Sequence, residues 1–311
     1  MGNTFSQGFP PKPLFAVEQI PDLTGQVMIV TGGNTGIGKE TCKALLNKNA
    51  KVYLAARNSS RADEAIEWLK NETNGKMPLF LQLDLANLAS VRKAVEEFRS
   101  KEQELHVLFN NAGVMVPPVE QRTADGYDLQ FGTNVLGHYL FTTLLLPTLI
   151  YTAKNSSLAR GHVRVINTSS SAVYHAPKGG IIWETLGTDA SSAQACKTLG
   201  THKLYYQSKL RYADRGIISS SLNPGSFQTD LVRHLPWLVS KFLGLFLHPA
   251  SYGALTQLWS GTMPDGESHN GKFLIPWARV GDAGPYSHDG KLAERLWDWL
   301  EEHAKSHQVR G

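Results

Sequence analysis

The stretch YYQSKL holds a tyrosine and a lysine, Tyr205 and Lys209, at a spacing that suits acid–base chemistry. Side chains four residues apart lie on the same face of a helix. A phenol, with a pKa of about 10 in water, exchanges a proton at neutral pH when a nearby positive charge lowers that pKa. Tyr206 has no such partner, because Leu210 stands at the same offset. We therefore predict that Tyr205 is an acid–base group whose pKa is lowered by Lys209; the competing interpretation is a solvated helix face.

A glycine-rich turn near the start of the chain suggests which reaction this proton would serve. The stretch VMIVTGGNTGIGKE places Gly32, Gly36 and Gly38 between a strand pattern and a helical pattern. Backbone N–H groups in such a turn can approach a pyrophosphate, with the positive end of the helix behind them. We therefore predict a dinucleotide site. Hydride transfer to a carbonyl carbon develops alkoxide character on the oxygen, and an acid such as Tyr205 would stabilise it.

The elements that must position these residues alternate between strand and helix. Apolar β-branched runs alternate with helical patterns after a Pro-rich lead, which predicts a parallel sheet covered by helices on both faces. We predict a lead segment over residues 1–22 and one α/β, doubly wound Rossmann domain over residues 23–311. A long helix is expected from about Gly126 to Leu149, and an amphipathic helix closes the chain. The predicted strands are Val27–Val30, Val52–Ala55, Leu79–Leu83, Val107–Phe109, Val163–Asn167, Ile217–Leu222 and Lys272–Ile275.

Composition and charge exclude several other classes of protein. The 311 residues are 41% hydrophobic and 19% charged, which suits a soluble protein with a large core. The net charge of +4 is spread without a basic run, so a nucleic-acid partner is not expected. Cys42 and Cys196 show no metal-ligand spacing, which favours a reducing cytoplasm and no metal site. The apolar stretch from Tyr139 is too short to span a bilayer and contains Pro147, so we predict a core helix.

The first six residues, MGNTFS, fit the pattern for N-myristoylation at Gly2, with Ser6 in the serine position. Such a short pattern often arises by chance, and no polybasic patch follows to supply a second anchor. A cytoplasmic protein is therefore the first expectation, and peripheral contact with a membrane through Gly2 is the alternative.

The order and spacing of several motifs resemble the short-chain dehydrogenase/reductase family. Its fingerprint Thr-Gly-x-x-x-Gly-Ile-Gly matches Thr31 to Gly38, and the resemblance continues in LDL at Asp84 and NNAG at Asn110 to Gly113. It runs from about Leu23 to Pro276 and implies a seven-stranded parallel sheet of order 3-2-1-4-5-6-7. The resemblance maps cofactor contacts onto Thr31, Gly32, Asn34, Gly36, Ile37, Gly38, Asp84, Leu85, Asn111, Ala112, Gly113, Tyr205 and Lys209.

The corner after the second predicted strand bears on the choice of cofactor. A carboxylate there would accept a hydrogen bond from the ribose 2′-OH of NAD, whereas an arginine suits the 2′-phosphate of NADP. Ala56 and Arg57 occupy this corner. We therefore expect a preference for NADP(H), with NAD(H) as the alternative if Arg57 is only a solvated cation.

The resemblance also assigns the rest of the catalytic group. It maps the family's catalytic serine onto Ser170, with Ser169 and Ser171 as alternatives that would be turn hydroxyls. It maps onto Asn134 the asparagine that holds a water for proton relay to Lys209; a locally bonded helix asparagine is the alternative. In NPGSFQTDL, the resemblance places Pro224, Gly225 and Thr229 around the nicotinamide.

The long interval between Ser170 and Tyr205 resembles the retinol-dehydrogenase and WW-domain-oxidoreductase branch of the family, including its fungal members. This branch implies reversible hydride exchange with a small, hydrophobic alcohol or carbonyl substrate. The Leu-, Phe- and Trp-rich stretch within about residues 230–262 would form a lid over it. The alternative is a membrane-surface or oligomer patch.

The family's helix normally continues for about three turns after Ser-Lys-Leu, and about ten of its residues are missing here. Tyr205 must lie at the carboxyl edge of the sheet, while Ile217 must begin a strand at the opposite edge, about 20 Å away. The seven residues that follow Lys209 reach only about 10 Å as a helix but about 24 Å when extended. We expect the chain to unwind after Lys209 or to withdraw the Tyr–Lys pair from the cofactor. Either change would impair activity. It would also shorten the helix that, by the resemblance, contributes to a homodimer interface. A catalytically silent nucleotide-binding or interaction protein is therefore the alternative function.

Overall fold

The computed structural model describes residues 6–209, 217–225 and 248–306 of the chain. Eight strands form one sheet of order β3-β2-β1-β4-β5-β6-β7-β8. The predicted α/β class and the order of the first seven strands are confirmed. The strands are β1 Val27–Thr31, β2 Lys51–Ala56, β3 Leu79–Gln82, β4 Val107–Asn110, β5 Arg164–Thr168, β6 Ile218–Leu222, β7 Phe273–Ile275 and β8 Arg279–Gly281.

The eighth strand was not predicted. β8 is antiparallel to β7, with Leu274 opposite Val280, whereas the other strand pairs are parallel. It has only three residues and ends in Gly281, so it lacks the length and alternation that mark a strand in sequence. The sheet is therefore parallel with one antiparallel edge strand.

The central strand β1 shows why both faces of the sheet are covered. Val27 and Ile29 belong to the apolar cluster on one face, and Met28 and Val30 belong to the cluster on the other. Successive side chains on a strand point to opposite faces, so an unbroken apolar run requires two layers of helices. β1 pairs with β2 on one side and β4 on the other. The chain order reverses here, and ligands bind at the carboxyl ends of the strands at such a point.

Two layers of helices pack on the sheet. The helices α1, α2 and α7 contribute buried side chains to one apolar cluster, and α3, α4 and α8 contribute to the other. α5 and α6 lie in the connection from β5 to β6. The helices are α1 Gly36–Asn47, α2 Ser59–Glu72, α3 Leu88–Lys101, α4 His138–Asn155, α5 Ala190–Leu199, α6 Thr201–Gln207, α7 Ala250–Thr262 and α8 Gly290–Ser306.

The long helix expected from about Gly126 to Leu149 is broken into three parts. A short α-helical turn, Leu129–Phe131, leads into a π-helical turn, Gly132–Gly137, and α4 then continues to Asn155. Among the described residues, Leu129–Asn155 is the one helical stretch long and apolar enough to cross a bilayer. Its most apolar window is 61% buried against the rest of the protein, and a core helix passes the same test of length and composition.

Helix α6 carries Tyr205 and ends at Gln207, two residues before Lys209. Lys209 lies in the following turn, where its N–H donates to the carbonyl of Tyr206 at 3.2 Å. The segment over residues 210–216, where we expect the shortening, lies outside the described residues. The predicted lid is also described only in part: residues 230–247 lie outside the description, and α7 packs on the sheet. Gly2 and Thr229 are likewise outside it.

Candidate active site

A cavity of about 430 Å³ opens at the carboxyl ends of the parallel strands. It collects the predicted site residues from seven separate segments of the chain. Of the predicted residues that the structure describes, Asn134 alone does not line it. The predicted residues that line it are Thr31, Gly32, Asn34, Gly36, Ile37, Gly38, Arg57, Asp84, Leu85, Asn111, Ala112, Gly113, Ser170, Tyr205, Lys209, Pro224 and Gly225.

The glycine-rich turn lines this cavity and has no room for side chains. Gly32 and Gly36 adopt φ values of 67° and 50°, in the left-handed region that favours glycine. A Cβ at Gly38 would lie 2.3 Å from the carbonyl oxygen of Gly32 and 2.6 Å from Nδ2 of Asn111. The turn therefore exposes backbone N–H groups at the start of α1, as a pyrophosphate requires. These residues fit a dinucleotide.

Thr31 ties this turn to the loop after β4. Its Oγ1 accepts hydrogen bonds from the backbone N–H groups of Asn111 and Ala112, both at 2.9 Å. The side chain of Asn111 donates back to the carbonyl of Thr31 at 2.9 Å. These reciprocal bonds join two loops that are 80 residues apart in sequence, so the floor of the cavity is held as one unit.

The corner beyond β2 is positively charged. Arg57 and Arg61 are exposed and both line the cavity. Asn58, between them, caps α2 by accepting from the N–H of Arg61 at 2.9 Å. Among the described residues of the lining, Asp84 is the single acidic one, and it lies after β3. Sequence reasoning missed Arg61, although its position in the first turn of the helix after Arg57 would have indicated it.

Ser170 and Tyr205 lie next to each other in the lining of the cavity. A hydrogen bond joins their hydroxyl groups, and Tyr205 is only 8% exposed. The Oγ of Ser170 also accepts from the N–H of Ala172 at 3.1 Å, which fixes the hydroxyl at the start of a short helical turn. Two polar hydrogens can therefore converge on one substrate oxygen.

The ionisation of Tyr205 differs from the prediction. Burial raises its pKa to about 12, and the hydrogen bond with Ser170 acts weakly in the opposite direction. Nζ of Lys209 lies 5.2 Å from the centroid of the Tyr205 ring, over its face. The predicted lowering of the pKa by Lys209 is therefore wrong for this state of the protein, because desolvation of the phenolate dominates. Tyr205 is a neutral phenol at neutral pH.

Lys209 and Asn134 meet at Gly113. A Cβ on Gly113 would lie 3.2 Å from Oδ1 of Asn134 and 3.5 Å from Nζ of Lys209. Asn134 is fully buried: its Oδ1 accepts from the N–H of Val114 at 2.9 Å, and its Nδ2 donates to Oγ of Ser208 at 3.0 Å. Asn134 thus joins the β4 loop to the turn that carries Lys209. Its role in proton relay stays a prediction.

Ser169 holds the backbone of Lys209. Its Oγ donates to the carbonyl of Lys209 at 2.6 Å, and its N–H donates to the carbonyl of Leu222 at 2.7 Å. The sequence offered Ser169 only as an alternative to Ser170, because a run of three serines does not indicate which faces the cavity. The structure places Ser170 beside Tyr205 and turns Ser169 toward the backbone.

The comparisons with known proteins agree with this geometry. Residues 26–236 match the family model for short chain dehydrogenases. The chain belongs to the short-chain dehydrogenase/reductase family. A short-chain dehydrogenase/reductase of Armillaria gallica is 52% identical over 321 residues, covering 99% of this chain and all of the relative.

Solved structures of other proteins show the same fold. An uncharacterized protein from Mycobacterium paratuberculosis superimposes with a TM-score of 0.68 at 24% identity, covering 94% of this chain and 97% of that one. RhlG of Pseudomonas aeruginosa, solved as an NADP complex, gives a TM-score of 0.56 at 22% identity. It covers 82% of this chain and 95% of RhlG. At these identities the likeness concerns the fold alone.

Membership settles the broad chemistry of the cavity. Short-chain dehydrogenases are nucleotide-binding oxidoreductases that use NAD(H) or NADP(H) and act on small molecules. The cavity is therefore the candidate active site of such an enzyme, lined by Ser170, Tyr205 and Lys209 and by the glycine-rich turn.

Proposed function

We propose that this protein is an NADP(H)-dependent oxidoreductase that interconverts a hydrophobic alcohol and the corresponding aldehyde or ketone. One observation carries the proposal: the acid–base pair of Ser170 and Tyr205 lines the same cavity as the glycine-rich turn. A dinucleotide and a small carbonyl compound could therefore meet within reach of one phenol.

Five parts of the cavity would hold the cofactor. The turn over residues 32–38 would bind the pyrophosphate, and Arg57 with Arg61 would bind the 2′-phosphate. Asp84 would cap the adenine, and Lys209 would hold the ribose next to the nicotinamide. Pro224 and Gly225 would contact that ring. The bound nicotinamide supplies or accepts the hydride.

The side chains of the chain itself would handle the proton. The hydroxyl of Ser170 orients the carbonyl oxygen, and the phenol of Tyr205 donates its proton to that oxygen as alkoxide character develops. In the reverse direction the phenolate takes the proton back. Because burial raises the pKa of Tyr205 to about 12, the resting enzyme holds the phenol in its protonated form, which is the form that donates a proton during reduction.

The substrate end of the cavity supports an apolar ligand. Val114 and Met115 line it after the NNAG motif. The apolar stretch proposed as a lid lies mostly outside the described residues, so the proposal of a hydrophobic substrate rests on these two side chains and on the resemblance. An aldehyde or ketone with an aliphatic or aromatic body fits this lining.

A silent nucleotide-binding protein is the rival function, because the segment after Lys209 is short. The alignment with the Armillaria relative extends over 321 residues, whereas this chain has 311, so at least ten aligned positions have no residue here. Against the rival, Tyr205 and Lys209 both line the cavity although α6 ends at Gln207. The proposed chemistry needs this pair together with Ser170, and it does not need the helical turns that we expect to be missing.

The test is a titration with NADPH followed by an assay of aldehyde and ketone reduction. We expect binding, turnover with apolar carbonyl compounds, and loss of turnover by about two to four orders of magnitude in Tyr205→Phe with NADPH binding kept. Binding without turnover would support the rival. Turnover that survives Tyr205→Phe would overturn the assignment of the acid.

A further inference from the structure

The lead segment before the domain places a buried amide beside the candidate active site. Residues 6–8 are helical, and the side chain of Gln7 is only 3% exposed. An amide in a nearly dry position must be hydrogen-bonded, because leaving it unsatisfied costs about 1–3 kcal/mol. Its partners therefore identify what this segment does.

Gln7 bridges two loops at the carboxyl edge of the sheet. Its Nε2 donates to the hydroxyl of Tyr174 at 2.9 Å, and its Oε1 accepts from Nδ2 of Asn223 at 2.8 Å. Tyr174 follows β5, and Asn223 follows β6. The partners are 167 and 216 residues away in sequence, so these contacts exist only in the folded chain.

The contact with Asn223 reaches the lining of the cavity. Asn223 is 2% exposed, and its Oδ1 accepts from the N–H of Gly225 at 3.1 Å. Gly225 has a φ of 108°, and it lines the cavity together with Pro224. Gln7 holds the amide of Asn223 in the one orientation that presents its oxygen to Gly225, because the nitrogen is engaged by Gln7 itself.

The contact with Tyr174 reaches the opposite wall. Tyr174 lies on the short helical turn Ser171–His175, and Ser170 caps the start of that turn. The hydroxyl of Tyr174 donates in turn to the carbonyl of Asp282, just after β8. Arg279, in β8, donates to the carbonyl of Ser6 at 2.8 Å. The antiparallel edge strand thus supports the lead segment from outside.

We propose that Gln7 is a positioning residue of the active site, which locks the Asn223–Gly225 loop to the segment that carries Ser170. This inference rests on the proposed function, since it assigns Gln7 to the nicotinamide end of the same cavity. It predicts that Gln7 acts on that end alone, because none of its bonds reaches the glycine-rich turn or the arginine corner.

The test compares three variants in the full chain. Gln7→Met keeps the length of the side chain and removes both hydrogen bonds. Gln7→Glu keeps an oxygen acceptor for Asn223. Thr152→Val is the matched control: Thr152 is fully buried at the other edge of the sheet, where its hydroxyl accepts from the N–H of Leu105 at 2.8 Å.

The first readout is binding of NADPH and of adenosine 2′,5′-bisphosphate, a fragment without nicotinamide. We expect Gln7→Met to raise the Kd of NADPH about tenfold, as the loss of one or two hydrogen bonds would, and to leave that of the fragment within about twofold. Gln7→Glu should keep most of the NADPH affinity. Equal weakening of both ligands, or an unchanged Kd for NADPH in folded Gln7→Met, overturns the proposal.

The second readout is deuterium exchange of a peptide containing Gly225, measured without any nucleotide. We expect faster exchange in Gln7→Met, because this variant loses the hydrogen bond that supports the Asn223–Gly225 loop. Thr152→Val keeps that bond and should exchange at the wild-type rate. If wild-type protein bound no NADPH, the proposed function would fail while this readout still decided whether Gln7 holds Gly225. Exchange at the wild-type rate in Gln7→Met overturns the inference.

Discussion

Ser169 and Lys209 are joined by a 2.6 Å hydrogen bond from the serine Oγ to the lysine backbone carbonyl. This bond adds to the one that the N–H of Lys209 makes with the carbonyl of Tyr206, and together they hold Lys209 in a turn just beyond the end of α6. The lysine therefore depends on β5 for its position as much as on the helix that brings it to the cavity.

The first prediction concerns this bond. Ser169→Ala should lower kcat about five- to tenfold, since the loss of one ordinary hydrogen bond, about 1 kcal/mol, lets Lys209 move. Ser192→Ala is a matched control, because Ser192 is also buried and donates to a backbone carbonyl, that of Gly187, at 2.9 Å. Steady-state kinetics and thermal denaturation of both variants will separate an effect on catalysis from an effect on stability. Equal losses of kcat would show that only folding was affected.

The second prediction concerns Gly113. A methyl group there would press on Oδ1 of Asn134 at 3.2 Å and on Nζ of Lys209 at 3.5 Å. Gly113→Ala should therefore displace the lysine and lower kcat/KM by about one order of magnitude or more. Gly290→Ala meets no atom within 4 Å and serves as the control. Full activity in Gly113→Ala would remove Lys209 from the proposed site.

The third prediction concerns the choice of cofactor. Alanine at Arg57 and at Arg61 should each raise the Kd of NADPH several-fold, and the double variant more, with little change for NADH. The effect should shrink at high salt, because both side chains are exposed. Arg99→Ala, on the exposed side of α3, is the control. Equal losses for both cofactors would argue against a 2′-phosphate site.

The fourth prediction concerns the ionisation of Tyr205. Because burial raises its pKa to about 12, the phenol stays protonated across the neutral range in the absence of cofactor. An ultraviolet titration of wild type minus Tyr205→Phe should therefore show no phenolate signal below about pH 10. Tyr206→Phe, one position along, is the control. A signal from Tyr205 near neutral pH would restore the lowered pKa that the sequence suggested.

The fifth prediction concerns acid stability. His106 is 3% exposed, its Nδ1 accepts from the N–H of Val27 at 3.0 Å, and burial lowers its pKa despite the opposing charge of Glu104. The unfolded chain then binds this proton more tightly than the folded one. The free energy of unfolding should fall as the pH drops below about 6.5, the ordinary pKa of histidine.

Urea unfolding across this pH range will check the prediction. His106→Asn, which keeps an oxygen acceptor near Val27, should reduce the slope of stability against pH. His162→Asn is the control: it replaces an imidazole whose side chain is 47% exposed, and it should leave the slope of stability against pH unchanged. A slope unchanged in His106→Asn would place the acid sensitivity elsewhere.

Local patterns predicted much of the fold and of the candidate site. The glycine turn at Gly32, Gly36 and Gly38 and the parallel strands are encoded in short stretches whose geometry depends on near neighbours. The pairing of Tyr205 with Lys209 survived even though α6 ends between them, because the turn after the helix continues on the same side.

The features that the sequence did not reveal depend on contacts between residues that are far apart in the chain. Gln7 lies in a lead segment without periodicity, and its partner Asn223 is 216 residues away, so nothing near Gln7 marks it as buried. The sequence does not show which of the adjacent residues Ser169 and Ser170 directs its side chain into the cavity, because that depends on how β5 is oriented in the sheet. The pKa of Tyr205 depends on how far the fold shields its hydroxyl from water, and the spacing of residues in the sequence does not show the degree of burial.

The antiparallel strand β8 also bears on how molecules of this protein associate. An exposed sheet edge is a template on which another chain can add a strand. Here the last strand offers only three residues, Arg279–Gly281, and the guanidinium of Arg279 is drawn back onto the carbonyls of Ser6 and Pro276. An edge of three residues gives a neighbouring chain little to pair with. Growth of the sheet from one molecule to the next is thereby discouraged on this side.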